Sequence, residues 1–265
     1  MSDDARPQVL IIEDEPDMND LLADILSAYG FEPVQALSGE QGLERLAERP
    51  PDAIFLDLML PGLSGFKICK QLKDSRQTRT IPILILTALD SHPDRRNAYE
   101  AGADDYVTKP FTPDALVSRL RECLEQTRQC VERYDHLSLT IEPTGSIGAL
   151  KAFNALMTCL YCRTDLATAE IEALRKGLVA LADTADGWAT DRDGRPPVRL
   201  SIRFEGQHLD LAFEAATDSG DAFLAEHLAP DAAVPAALTD AGVIDRVVTS
   251  DAGVTLEKTL PPRET

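Results

Sequence analysis

Three short, uninterrupted apolar runs punctuate the first half of the chain: Val9-Leu10-Ile11-Ile12, Ala53-Ile54-Phe55-Leu56 and Ile83-Leu84-Ile85-Leu86. Runs of this length without polar alternation mark strands buried on both faces, as in a parallel sheet. Between them the period changes to that of a helix. Met18, Leu21, Leu22, Ile25, Leu26 and Tyr29 recur at helical spacing and stop before Gly30; Leu43, Leu46 and Ala47 do so behind Ser38, a suitable cap. Phe66, Cys69 and Leu72 follow, then Ala98 and Ala101 before Gly102, and Asp105-Tyr106-Val107 reads as a shorter fifth strand. This alternation predicts an α/β domain, a doubly wound five-stranded parallel sheet with helices on both faces.

The second half has a different rhythm. Leu137–Ile141 alternates like a strand. Helical patterns run from Ile147 to Tyr161 and from Asp165 to about Thr184. Val198–Phe204 and Leu209–Phe213 alternate again and read as a hairpin with one wet face. The Ala/Pro/Asp-rich stretch from Thr217 to Pro235 fits either a loop or a short helix, and Asp245–Thr249 and Gly253–Thr259 form a last strand pair. Strands mixed with two helices predict a C-terminal α+β sandwich domain. Between the halves, a helix starts near Thr112 and runs past the expected domain end. Leu116, Leu120, Cys123, Thr127, Cys130, Tyr134 and Leu137 recur along it at alternating spacings of four and three. It fits a helix packed on its own domain and ending near Gln126, or a short linker helix. The division expected is 1–126, a helical linker 127–136, and 137–265.

Charge narrows the choice of partner. The formal charge is −19, and acids outnumber bases in both halves. A phosphate backbone would repel either half, which argues against DNA as the partner. The 44% apolar content suffices for packed cores. No apolar run approaches the roughly 18 residues of a membrane span, and the acidic start Met1-Ser2-Asp3-Asp4 lacks the basic region of a signal peptide. Five cysteines (69, 123, 130, 159, 162) make no even framework, so reduced thiols and a cytoplasmic location are expected.

Sites in doubly wound sheets lie at the carboxyl ends of the strands. The first strand runs into Glu13-Asp14, the third into Asp57, the fourth into Thr87, and the fifth is followed by Lys109-Pro110. One acid at a strand end would merely face solvent; acids at successive ends converge. Two unit charges about 4 Å apart repel by about 4 kcal/mol at an effective dielectric near 20. A hard divalent cation such as Mg2+ relieves this and leaves oxygen positions for a phosphoryl group. Asp57 then fits a carboxylate nucleophile, Lys109 a counter-charge for phosphoryl oxygens, and Thr87 a hydroxyl donor to them.

The segments Ile12-Glu13-Asp14-Glu15, Phe55-Leu56-Asp57-Leu58-Met59-Leu60-Pro61-Gly62-Leu63-Ser64-Gly65, Leu86-Thr87-Ala88 and Ala101–Phe111 resemble the receiver domain of two-component response regulators, over roughly residues 6–126. The resemblance implies a flavodoxin-like fold with Asp57 as phosphoacceptor. It also implies Mg2+ held by Glu13, Asp14, Asp57 and the Met59 carbonyl, and Lys109 at the phosphoryl group. Thr87 and Tyr106 would be the switch pair, and Lys109-Pro110 a cis bond. It further implies a sensor histidine kinase or phosphotransfer protein as donor, and a surface of the fourth helix, fifth strand and fifth helix that changes on phosphorylation. Asp105 and Arg119 sit where dimeric members of the family pair charges, while Ala115 stands where a Glu is common. A homodimer through that surface or through the linker helix therefore stays open. Met59 and Leu89, two residues beyond Asp57 and Thr87, carry no polar group to orient an attacking water, so a long-lived phosphoryl group is expected.

The order of elements after residue 136 resembles the GHKL ATPase fold, most closely the anti-sigma-factor serine kinases. Leu137–Pro143 with Ile147–Phe153, the helix Ile171–Gly187 and the final strands carry this resemblance. The functional residues do not carry over. Aligned on Gly187, the metal-binding Asn position holds Ala182, the catalytic Glu position Leu178 and the His position Asp186; the adenine-binding box reads Glu214-Ala215-Ala216-Thr217-Asp218-Ser219-Gly220. A phosphate cradle needs glycines that let backbone N–H groups approach. The expectation is a degenerate domain without ATP binding or kinase activity, serving as a non-DNA-binding, protein-interaction output. The alternatives are a phosphorylation-gated ATPase or serine kinase with divergent motifs, and a histidine phosphotransfer output using His136. Cys159 and Cys162 share a helix face but lack the further ligands of a zinc site; they are expected to be buried thiols. Trp188 is expected to pack and Arg192–Arg195 to form a solvated loop.

Overall fold

The computed structural model describes residues 6–131, 136–141, 145–164, 166–182, 198–205, 208–240, 242–251 and 253–260. It divides into two compact units, Met1–Gln129 and Cys130–Thr265.

In the first unit, β1 (Gln8–Ile12), β2 (Glu32–Ala36), β3 (Ala53–Leu56), β4 (Ile83–Thr87) and β5 (Asp105–Thr108) form one parallel sheet in the order β2-β1-β3-β4-β5. The expected doubly wound α/β architecture is present. Helices α1 (Pro16–Ala28), α2 (Gly39–Glu48), α3 (Gly65–Asp74), α4 (His92–Glu100) and α5 (Pro113–Val131) follow the strands in turn. The central strands β1, β3 and β4 are buried along their whole length. Their side chains alternate between two cores. One contains Leu10, Ile12, Ile54, Leu56, Ile83 and Ile85; the other contains Val9, Ile11, Phe55, Leu84 and Leu86, with Leu22 and Leu26 of α1 and Leu116, Leu120 and Cys123 of α5. The first three residues of the heptad-like seam therefore pack on their own domain. Cys130, further along it, lies in the second unit, and Tyr134 falls outside the described residues. Helix starts follow local chemistry: Pro16 opens α1, and the Ser38 and Ser91 hydroxyls accept from the amides of Gln41 and Asp94 at the starts of α2 and α4.

In the second unit, β6 (His136–Ile141), β7 (Val198–Glu205), β8 (His208–Ala215), β9 (Arg246–Ser250) and β10 (Gly253–Thr259) form a second sheet in the order β6-β7-β8-β10-β9, antiparallel throughout. Its helices are α6 (Gly145–Arg163), α7 (Thr168–Ala182), α8 (Asp218–His227) and α9 (Ala233–Asp240). Helix α6 packs on α7, α7 on α9, and α8 on β8 and β10. Along β7, Val198, Leu200, Ile202 and Phe204 are buried while Arg199, Arg203 and Glu205 are exposed, the one-wet-face pattern read from the sequence. The stretch after Thr217 is helical twice. Thr217 caps α8 by accepting from the Gly220 amide; Asp218-Ser219-Gly220 is thus the first turn of a helix.

One expectation is corrected. Cys130, at the end of α5, is joined to Cys159 of α6 in a disulfide, with the Cα atoms 4.8 Å apart. An odd cysteine count leaves pairing open, and a sequence separation of 29 hid this pair. Cys69 and Cys123 are buried outside any disulfide, and Cys162 is partly exposed. Trp188, Asp186, Gly187 and Arg192–Arg195 lie outside the described residues. Among the described residues no helix is long and apolar enough to cross a membrane.

Candidate functional site: an acidic cluster bridged by a lysine

The site forms at the rim where β1, β3, β4 and β5, neighbours in that order, end. A parallel sheet aligns its strands' carboxyl ends, so residues that follow each strand meet at one rim. Glu13 directly follows β1, Asp57 follows β3 and Lys109 follows β5. Carboxylate oxygens of Glu13, Asp14 and Asp57 all lie within 4.8 Å of one another. Lys109 Nζ stands between two of them, 2.6 Å from Glu13 Oε2 and 2.7 Å from Asp57 Oδ2. The amide of Met59 donates to Asp57 Oδ1 at 2.9 Å, which sets the Met59 main chain beside the same carboxylate.

Burial makes this arrangement electrostatically demanding. Glu13 is 3% exposed and Asp57 7%. Desolvation holds the Glu13 carboxyl above the ordinary carboxylate range; the Lys109 hydrogen bond and charge pull the other way, and Asp57 and Asp14 push it further up. Burial alone would lower the Lys109 ammonium, but its bonds to Asp57 and Glu13 outweigh that and raise it. One ammonium thus serves three carboxylates. Hard oxygen donors in excess of positive charge, gathered within 4.8 Å of one another, are the donor set a small divalent cation takes.

The remaining predicted residues frame this cluster. Thr87 ends β4, fully buried, and its carbonyl accepts from the Lys109 amide at 2.9 Å. Its hydroxyl accepts from the Leu89 amide at 3.4 Å. The peptide bond Lys109-Pro110 is cis, as the receiver resemblance implied. Tyr106, on β5, donates its hydroxyl to the Leu89 carbonyl at 2.7 Å, while the Arg95 guanidinium of α4 lies 5.7 Å from its ring centre. Burial, with Asp94 nearby, pushes the Tyr106 phenol up to about 12, so it remains a donor. Thr87 and Tyr106 therefore both engage the main chain of Leu89, at the start of the β4–α4 loop. Asp105, 1% exposed, is paired within its own domain, with Arg119 at 3.2 Å and Tyr99 at 3.2 Å.

Two residues of the site escaped the sequence reading. Gly65 opens α3 hard against the Asp57 backbone. A Cβ there would overlap the Asp57 carbonyl oxygen and sit 2.7 Å from Leu58 Cα. It closes the segment Phe55–Gly65 that carries the receiver resemblance, where no role was assigned to it. Asn19, fully buried on α1, donates from Nδ2 to the carbonyls of Glu13 at 2.9 Å and Ala36 at 3.0 Å. The signal there was a lone amide on an otherwise apolar helix face. His136 begins β6 opposite Glu205, on a strand and not on a helical hairpin.

Residues 9–121 match the response regulator receiver domain family. The DNA-binding dual master transcriptional regulator RpaA of Synechocystis sp. is 38% identical over 130 residues, which are 49% of this chain and 54% of that protein. The phosphate regulon transcriptional regulatory protein PhoB of Escherichia coli K12 is 39% identical over 139 residues, 52% of this chain and 61% of that protein. The BeF3-activated N-terminal receiver domain of Klebsiella pneumoniae RstA is 35% identical, covers 44% of this chain and 97% of that structure, and has a TM-score of 0.42. This chain spans little more than half the length of the two regulators. The first unit carries a response regulator receiver domain of a two-component system. The second unit lies beyond the family match.

Proposed function

We propose that the chain is a response regulator that accepts a phosphoryl group on Asp57 and signals through a protein-binding second unit. The observation that carries the reading is Lys109 bridging Glu13 and Asp57 inside a cluster of three buried or rim carboxylates. Glu13, Asp14, Asp57 and the Met59 carbonyl would hold Mg2+, which supplies charge neutralisation for the transferring phosphoryl oxygens.

Asp57 Oδ attacks the phosphorus of a sensor histidine kinase's or phosphotransfer protein's phosphohistidine. The P–O bond forms as the P–N bond breaks, and the imidazole leaves with its electron pair. Lys109 moves its hydrogen bond from the carboxylate to a phosphoryl oxygen. Thr87 turns its hydroxyl from the Leu89 amide to another. The Leu89 main chain, released on that side and still held by Tyr106, transmits the shift to α4. The apolar side chains of Met59 and Leu89 leave no group to orient an attacking water, so the aspartyl phosphate is long-lived. A lifetime of seconds would contradict this.

For the second unit, the topology supports a degenerate GHKL-like domain: an outer strand, two helices, a hairpin, two short helices and a closing strand pair in one sheet. Leu178, at the position of a catalytic glutamate, is fully buried in apolar company. The segment at the adenine-box position winds into α8, so its amides are spent on a helix turn. The unit neither binds nucleotide nor acts as a kinase, and its partner is a protein and not DNA. The named relatives are transcriptional regulators, one of them described as DNA-binding; a −19 chain is built for another output. A cytoplasmic location rests on the receiver reading alone, since the expectation of reduced thiols fell with the Cys130–Cys159 bond.

The test is labelling of the full chain by acetyl phosphate with Mg2+, read by mass. The wild type gains one phosphoryl group and Asp57→Asn gains none. Equal labelling of the variant overturns the assignment. Calorimetry with Mg-ATP reads the second unit: no heat is expected, and micromolar binding would replace the protein-binding reading with the enzymatic one.

A further inference from the structure

We infer that Asn19 is a positioning residue for the cation site: it fixes the main chain of Glu13 so that its carboxylate faces Asp14 and Asp57. The inference rests on the receiver reading above. Asn19 lies on the face α1 turns to the core, where Leu22 and Leu26, three and seven residues further on, are fully buried. A leucine at 19 would complete that stripe. The position instead holds a carboxamide with no exposed surface.

Both hydrogens of its Nδ2 go to the main chain at strand ends. One reaches the Glu13 carbonyl at 2.9 Å and the other the Ala36 carbonyl at 3.0 Å. The Ala36 carbonyl also accepts from the Glu13 amide at 3.1 Å. Ile12 and Ala36 are the last paired residues of β1 and β2. The amide therefore extends the sheet by one rung, at the residue whose side chain enters the acidic cluster. With its backbone held at both its amide and its carbonyl, the point from which Glu13 projects its carboxylate is fixed.

The arrangement has a cost that packing alone would avoid. Asn19 Oδ1 is buried without a hydrogen-bond partner among the described residues, and an unmet buried acceptor is unfavourable. An apolar residue would remove that penalty and also the clamp. The clamp matters because Glu13 is held where its neighbours repel it. Its carboxylate oxygens lie within 4.8 Å of those of Asp14 and Asp57, and a freely jointed Glu13 would swing its carboxylate toward water. Partners that orient a ligand from behind are worth tenfold or more in metal affinity.

The experiment is a Mg2+ titration of the full chain by calorimetry, beside urea unfolding of the same samples. The variants are Asn19→Leu, Asn19→Ala and, as a core truncation on the same helix away from the cluster, Leu26→Ala. Wild type binds Mg2+; both Asn19 variants bind about tenfold more weakly; Leu26→Ala, though less stable, binds as wild type does. If Asn19→Leu does not fold, Asn19→Ala, which asks for no extra room, decides. Wild-type affinity in the folded Asn19 variants, or an equal loss in Leu26→Ala, overturns the inference. Absence of Mg2+ binding by the wild type overturns the receiver reading itself and is recognised separately.

Discussion

The two units bury different things. The first buries Glu13, Asp57, Lys73, Arg79 and Asp105, all below 9% exposed; among the described residues of the second, the buried polar side chains are Asn154, Thr158, Thr164 and Ser201, and none is ionisable. Thr158 and Thr164 return their hydroxyls to the carbonyls four residues back, Asn154 and Leu160, which is the least demanding way to sink a hydroxyl into a helix. An ion in a core is tolerated only with a partner, and each one in the first unit has one. Lys73 donates to Asp104 and to two carbonyls, Asp105 holds Arg119, and Lys109 spans Glu13 and Asp57. The contrast teaches where chemistry is stored. One unit keeps several charges out of water at the rim of its sheet; in the other no charged residue among those described is buried to that degree, although Arg175 and Lys258 keep only 12% of their side chains exposed.

The sharpest way to break this comparison is to strike one backbone approach in each unit. Gly65→Ala forces a Cβ into the Asp57 carbonyl, and Gly253→Ala, at φ +146°, forces one into the Phe213 carbonyl and within 3.0 Å of Glu214 Cα. Neither obstacle is a movable side-chain tip, so each change is expected to cost about 3 kcal/mol or more. The outcomes should separate. Gly65→Ala abolishes phosphoryl labelling, because the shifted atoms carry Asp57. Gly253→Ala lowers the stability of the second unit and leaves labelling near the wild-type extent. Urea unfolding and acetyl phosphate labelling of both variants check this, and loss of labelling in Gly253→Ala would show that the units do not divide the work.

The same contrast decided what the sequence revealed. Strands β1, β3 and β4 were legible because strands covered on both faces must be apolar throughout. Strand β2, Glu32-Pro33-Val34-Gln35-Ala36, was not, since it is an edge strand with β1 as its partner and only Ala36 buried. Its proline is tolerated there for the same reason. Glu13, Asp14, Asp57, Thr87 and Lys109 could be read because topology alone sends strand ends to one rim. Asn19 and Gly65 could not, because their partners are set by packing: Ala36 is 17 residues from Asn19 and reached only once two strands pair. In the second unit, α8 and α9 hid in an Ala/Pro/Asp-rich stretch with little amphipathic signal, where the Thr217 cap and tertiary packing decide. The Cys130–Cys159 bond likewise joins two helices whose sequence period says nothing of each other.

A second test concerns Lys109, whose ammonium bridges Glu13 and Asp57. Lys109→Ala leaves Glu13 and Asp57 facing each other without the ammonium that now separates them. Breaking a buried pair from one side costs about 3 kcal/mol, discounted to about 2 kcal/mol here because Lys109 retains 14% exposure. Mg2+ should restore more stability to the variant than it adds to the wild type, since a bound ligand stabilises in proportion to its affinity and the competing charge is gone. Thermal unfolding with and without Mg2+ measures this. Equal shifts in both proteins would mean that lysine and cation do not share the site.

The smallest effect is expected at Asp245, just before β9, an exposed carboxylate paired with a Lys258 that is itself largely covered. Asp245 accepts from the Thr259 amide at 2.6 Å and lies 3.4 Å from Lys258 Nζ, with 43% of its side chain exposed. The Thr259 amide chiefly, with Lys258, holds its carboxyl below the ordinary range despite some desolvation. A carboxyl depressed in the folded state adds stability above its unfolded value, near 3.9, and loses it as pH falls through the lower folded value. Asp245→Asn should therefore be slightly less stable than wild type at pH 7, with the gap closing below about pH 4. Solvent screening at a half-exposed site keeps it under about 0.5 kcal/mol. Urea midpoints of the two proteins at pH 7 and pH 3 supply the measurement. A gap as large as that of Lys109→Ala would mean that the second unit, too, depends on a charge held against its surroundings, and the contrast between the two interiors would fail at that point.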